Sequence, residues 1–158
     1  MVFKEAVKKT PLLRKSWMPG LGALRAQDRQ HVLAQNTSRL KGSADIDTAL
    51  QLLHPNAHRW DFAVGYRHSN RQKDWIYWIE IHTADDKGVK VVLDKLRWLR
   101  DWLKDDGKLL DQFDRDFVWV SSGRTSFTLG APQLKQFAQL GLQHKGSALR
   151  IPEARPSI

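Results

Sequence analysis

Two arms of alternating residues mark the centre of the chain. Trp60-Asp-Phe-Ala-Val-Gly-Tyr66 alternates with period two, a polar tip follows, and Asp74-Trp-Ile-Tyr-Trp-Ile-Glu-Ile-His82 alternates again. Aromatic and β-branched residues at this spacing predict two strands joined in a hairpin. In the first arm Trp60, Phe62, Val64 and Tyr66 share a face, and Asp61, Ala63 and Gly65 share the other. In the second, Trp75, Tyr77, Ile79 and Ile81 oppose Ile76, Trp78, Glu80 and His82. A tip at Asn70-Arg71 sets Asp61 directly across from Glu80, where like charges destabilise unless something compensates them. A divalent cation bound by Asp61 and Glu80 would do so, and so would a Lys or Arg from another element.

Further along, Val89, Val92, Leu93, Leu96, Leu99 and Leu103 recur at three- and four-residue spacing, which predicts an amphipathic helix over 87–104 capped by Asp85 or Asp86. Phe117–Val120 reads as a buried strand, Pro132 opens a helix to about Leu142, and Ala148–Ile151 reads as a last strand. Before the hairpin the signals weaken. Residues 1–20 read as irregular, 22–35 as a weak helix, and 48–54 as a short helix with Asp47 as N-cap and Pro55 as its stop. Asp45, two residues before that cap, is an accessory candidate for the metal. The elements add up to an α/β (α+β) domain over 21–152, with a central mixed sheet, an antiparallel hairpin and flanking helices; 1–20 forms a basic arm and 153–158 a tail.

Composition sharpens this picture. The chain of 158 residues has seven Trp and no Cys, so the core is aromatic and thiolate metal sites are excluded. No apolar run is long enough to span a membrane, and the lysines and arginines of the first 20 residues leave no signal-peptide core, so a cytoplasmic protein is expected. Residues 1–41 hold nine Lys or Arg against Glu5 and Asp28, which is seven of the formal +9. Charge concentrated this way suits nucleic acid, with Lys8, Lys9, Arg14 and Lys15 as contacts, although a solvated tail has the same composition. Ser121-Ser122-Gly123-Arg124 offers hydroxyls and a cation to a phosphate, and equally reads as an ordinary loop.

Glu80 is the only glutamate outside the two ends of the chain, and it stands among Trp, Ile and Tyr. A carboxylate in such a strand costs free energy unless paired or metal-bound, which makes it a functional candidate.

An Asp on one hairpin arm and Glu-x-His on the other, followed by an amphipathic helix and a buried strand, resembles the PD-(D/E)XK (restriction-endonuclease-like) nuclease superfamily over about residues 45–120. Asp61 matches the family aspartate and Glu80 its acidic position, while His82 stands where the family has Lys. The resemblance implies a Mg²⁺- or Mn²⁺-dependent hydrolase of DNA or RNA phosphodiesters. His82 would then orient or deprotonate a water, being a side chain that ordinarily titrates near neutrality. Alternatively Lys95 would reach in from the following helix. The other reading is an inactive nuclease-like module that binds nucleic acid, or a protein partner through its Trp-rich surface.

Overall fold

The computed structural model describes residues 1–123 and 130–156. Its centre is a six-stranded mixed sheet. Strands β1 (Trp17–Met18), β3 (Leu40–Asp45), β4 (Phe62–Tyr66), β5 (Trp75–His82), β6 (Asp114–Ser121) and β7 (Leu142–His144) lie in that order. The first four are antiparallel neighbours; β6 and β7 are added parallel. A separate parallel pair joins β2 (Val32–Ala34) to β8 (Leu149–Ile151). The expected mixed α/β sheet flanked by helices is therefore the observed architecture.

The hairpin has the register that a tip at Asn70-Arg71 predicts: Phe62 pairs with Ile79 and Ala63 with Trp78. Both faces of the sheet are covered, and the pleat sorts its side chains into two cores. Ile76 and Trp78 join Ala63 on the face covered by α1 (Phe3–Lys9), α4 (Asp86–Leu103) and α6 (Ala131–Leu140). Tyr77 and Ile79 join Phe62, Val64 and Tyr66 on the other, beneath β2 and β8. Trp60 departs from the predicted face. It precedes β4, is free of the strand's alternation, and packs fully buried in the core under the helices. Each such apolar side chain contributes about 1.5–3 kcal/mol on burial.

Helix α4 carries the connection from β5 to the parallel β6. Asp85 caps it by accepting the Gly88 N–H at 2.7 Å. All six predicted stripe residues are buried. Gly88 is demanded by closeness: a Cβ there would lie 2.2 Å from the Thr83 carbonyl oxygen.

The weaker sequence signals resolve differently. Residues 3–9 form helix α1, and Phe3, Ala6, Val7 and Leu13 are fully buried, so the predicted basic arm is part of the core with its cations turned outward. The predicted helix 22–35 is reduced to α2 (Ala26–Arg29), because Val32–Ala34 is claimed as a strand by β8. The predicted helix 48–54 is α3 (Ile46–Leu50). Its cap is Asp45, not Asp47: burying Ile46 starts the helix earlier, and Asp45 accepts from the Thr48 N–H at 3.0 Å and the Thr48 hydroxyl at 2.8 Å. A short α5 (Lys108–Asp111) precedes β6. No helix among the described residues is long and apolar enough to cross a membrane.

Candidate active site

Asp61 stands just before β4, and Glu80 near the end of β5, on the sheet face covered by α4. One position beyond the last backbone pair, Phe62–Ile79, the register sets them opposite each other, and bonds from backbone to side chain join the two segments there. The Asp61 N–H donates to Glu80 Oε1 at 3.2 Å, and the Ile81 N–H donates to Asp61 Oδ2 at 3.0 Å. The Asp61 carbonyl accepts the N–H groups of Ile46 and Asp47 at 2.9 and 3.3 Å, which ties the start of α3 to the same point.

Lys95 comes down from α4 onto this pair. Its Nζ lies 2.6 Å from Glu80 Oε2 and 3.9 Å from Asp61 Oδ1. Lys95 lies three residues after buried Val92 and four before buried Leu99, so it is set on the core side of the helix. Glu80 has no exposed surface, whereas the side chains of Asp61 and Lys95 each keep 19 %. The cluster is therefore anchored inside and opens to solvent on the Asp61–Lys95 side.

Electrostatically the cluster sets one ammonium against two carboxyl groups. Burial pushes the Asp61 carboxyl up to about 6, only partly countered by Lys95. Burial and the neighbouring Asp61 push Glu80 well above the carboxylate range. Burial opposes charge on Lys95 too, but Glu80 and Asp61 together outweigh it and hold its pKa above the ordinary value. One ammonium faces two carboxyl groups, and either a proton kept by the pair or a further cation in its place relieves their repulsion.

The other predicted residues divide. His82 follows on β5, half-buried, and donates from Nδ1 to the Thr83 carbonyl at 3.1 Å; no bond joins it to Asp61, Glu80 or Lys95. It is paired in register with Ser121 of β6, whose hydroxyl lies 2.8 Å from His144 Nε2. That Ser–His contact at the strand ends was not singled out from the sequence, because β7 carries only three residues. Asp45 is adjacent in the chain to the anchored start of α3, and its two carboxylate oxygens accept from the Thr48 N–H and hydroxyl as the cap of that helix. Asp47 pairs with Arg59 at 2.8 Å. Lys8, Arg14 and Lys15 are exposed; Lys9, also exposed, reaches Glu5 at 3.4 Å. Arg124 lies outside the described residues.

Among the described residues no group of three or more His, Asp or Glu comes together to hold a metal ion. The oxygen donors of Asp61 and Glu80 nevertheless suit a hard ion of the Mg²⁺ kind, which takes one or two carboxylates and fills its shell with waters and substrate phosphate. Each bonded carboxylate oxygen retains a lone pair for this purpose. No family model, curated protein or solved structure matches the chain.

Proposed function

We propose that this protein is a metal-dependent nuclease of the restriction-endonuclease-like kind, hydrolysing phosphodiester bonds in DNA or RNA. The observation that carries the reading is the cluster of Asp61, Glu80 and Lys95. The topology supports it: an antiparallel three-strand meander, a crossover helix and a parallel fourth strand form the order of that superfamily's core.

Asp61 and Glu80 would hold Mg²⁺ or Mn²⁺. When bound, such an ion polarises a phosphoryl oxygen and lowers the pKa of its water. Glu80, fixed by a backbone N–H and an ammonium, sets the geometry, and Asp61 presents its carboxylate to the open side. Lys95 supplies the cation that the family carries on the strand. Its two N–H groups not bound to Glu80 are left to orient a water or neutralise charge on the phosphate in the transition state. His82, two residues beyond Glu80 on the same strand face, flanks the attacked phosphate.

The second reading, an inactive module that binds nucleic acid or protein, is favoured by the same 2.6 Å contact, because an ammonium already neutralises Glu80. Cleavage of mixed DNA and RNA with Mg²⁺ or Mn²⁺ separates the two. Metal-dependent cutting that is lost in Glu80→Gln and in Lys95→Gln is the expected result. Equal cutting by wild type and variants, or none by any, defeats the nuclease reading.

A further inference from the structure

A cavity of about 380 Å³ opens between α1 and the β1–β3 edge of the sheet. Its floor is apolar, formed by Trp17, Leu40 and Gly42, and Lys4, Lys41 and Arg67 stand around it. The volume falls in the range of small-ligand sites.

This pocket is built around one ring. Trp17 donates from its indole N–H to the Lys41 carbonyl at 3.1 Å. The ring lies so close over β3 that a Cβ on residue 42 would meet its Nε1 at 2.2 Å, and the backbone there has φ +106°. Only glycine meets both demands. The Lys4 ammonium stands 4.4 Å from the ring centroid and that of Lys8 5.8 Å.

The charge around the pocket is not compensated. Among the described residues Lys4, Lys8 and Lys41 have no carboxylate partner, and the one acid of the lining, Asp74, is bound by Arg67 at 2.8 Å and by the Phe3 N–H at 2.8 Å. An aromatic ring on an apolar floor, flanked by lysines that no carboxylate neutralises, has the chemistry that receives a base and its phosphates in single-stranded nucleic acid.

Its position suits the same strand. Trp17 pairs with Ala44, which pairs with Ala63, two residues from Asp61. Two strand spacings and two residues of rise separate Trp17 from Asp61 by roughly 12 Å. Both lie on the face covered by α1 and α4. We infer that this pocket binds a nucleotide of single-stranded nucleic acid a few positions from the phosphate held at Asp61 and Glu80. The strand's position relative to the pocket rests on the nuclease reading; the pocket's own chemistry does not.

The test is binding of fluorescent dT12 in EDTA, which prevents cleavage. Three variants are compared with wild type: Lys4→Gln/Lys41→Gln, Trp17→Leu, and a control, Lys135→Gln, whose lysine is exposed on α6. The lysine double variant should bind at least ten-fold more weakly at 50 mM salt, with a log–log salt slope shallower by about 1.4. Trp17→Leu should lose at least five-fold. Because Trp17 also packs against the core, the lysine variant and its salt slope stand independently of any folding defect. Lys135→Gln should match wild type. Unchanged dT12 affinity and salt slope in the lysine variant overturns the proposal, as does binding of poly-glutamate in preference to dT12. If wild type cuts with Mn²⁺ while the lysine variant binds and cuts as well as wild type, the pocket fails and the nuclease reading stands. If nothing cuts but dT12 binding is lost in the lysine variant, the pocket stands and the nuclease reading fails.

Discussion

Lys95 of α4 meets Glu80 of β5 at 2.6 Å, and the glutamate it meets has no exposed surface. This contact makes the crossover helix part of the candidate site as well as part of the core. Removing one partner leaves a buried charge alone. Lys95→Met is expected to cost about 3–5 kcal/mol in urea unfolding, and adding Glu80→Gln should recover part of it. Additive losses in the double variant would mean that the two side chains do not interact as described.

Metal binding should read out without catalysis. Mn²⁺ at a hundred times its Kd should stabilise the protein by about 2.7 kcal/mol. Asp61→Asn should abolish the Mn²⁺-dependent rise in Tm. A rise that persists in this variant would place the ion elsewhere.

Asp45 separates a cap from a ligand. Asp45→Ala should cost about 1 kcal/mol through the end of α3. The Mn²⁺-dependent rise in Tm should remain as in wild type. Its disappearance would return Asp45 to the ligand set.

A second polar cluster should respond to pH. His68 is buried, with Nδ1 at 2.9 Å from the Pro152 carbonyl and Nε2 at 2.8 Å from the Tyr77 hydroxyl. A carbonyl only accepts, so Nδ1 carries the proton and the tyrosine donates to Nε2. Arg155 donates to the Tyr77 hydroxyl at 3.1 Å and pairs with Asp116 at 2.7 Å. Burial holds the His68 pKa below its ordinary value, and the Arg155 charge adds to this. With the folded pKa below the unfolded one, folding favours the neutral ring. This contribution is therefore complete above about pH 6.5 and is lost as pH falls below it. His68→Gln should flatten the pH dependence of unfolding over that window, and an unchanged slope would show that His68 does not carry it.

Gly65 records how tightly α1 is seated. A Cβ at this position would lie 2.5 Å from the Phe3 ring. Gly65→Ala should cost about 1–3 kcal/mol by overpacking, and Phe3→Ala in the same chain should relieve part of that strain. Simple additivity of the two losses would indicate that α1 does not bear on β4.

Much of the site's frame was legible in the chain. Alternation specified the hairpin and, Trp60 aside, the faces of its strands, and a tip at Asn70-Arg71 set the register that brings Asp61 opposite Glu80; a one-residue slip would turn both apolar sets to the wrong face. The stripe from Val89 to Leu103 specified α4 just as directly. These are local signals, repeated often enough to outweigh competitors.

The remainder depended on partners distant in sequence. Val32–Ala34 is a strand only because Leu149–Ile151 lies beside it, and Leu142–His144 only because β6 does. Residues 3–9 look like a charged tail until Phe3, Ala6 and Val7 are seen against the sheet. The hairpin pattern demanded compensation for two opposed carboxylates without naming the cation, and the family resemblance offered Lys95 only as an alternative to His82. That choice fell to tertiary structure: the placement of α4 over β5 selects Lys95 from the helix's cations, since a charge buried beside another must be met by whichever opposite charge packing brings within reach.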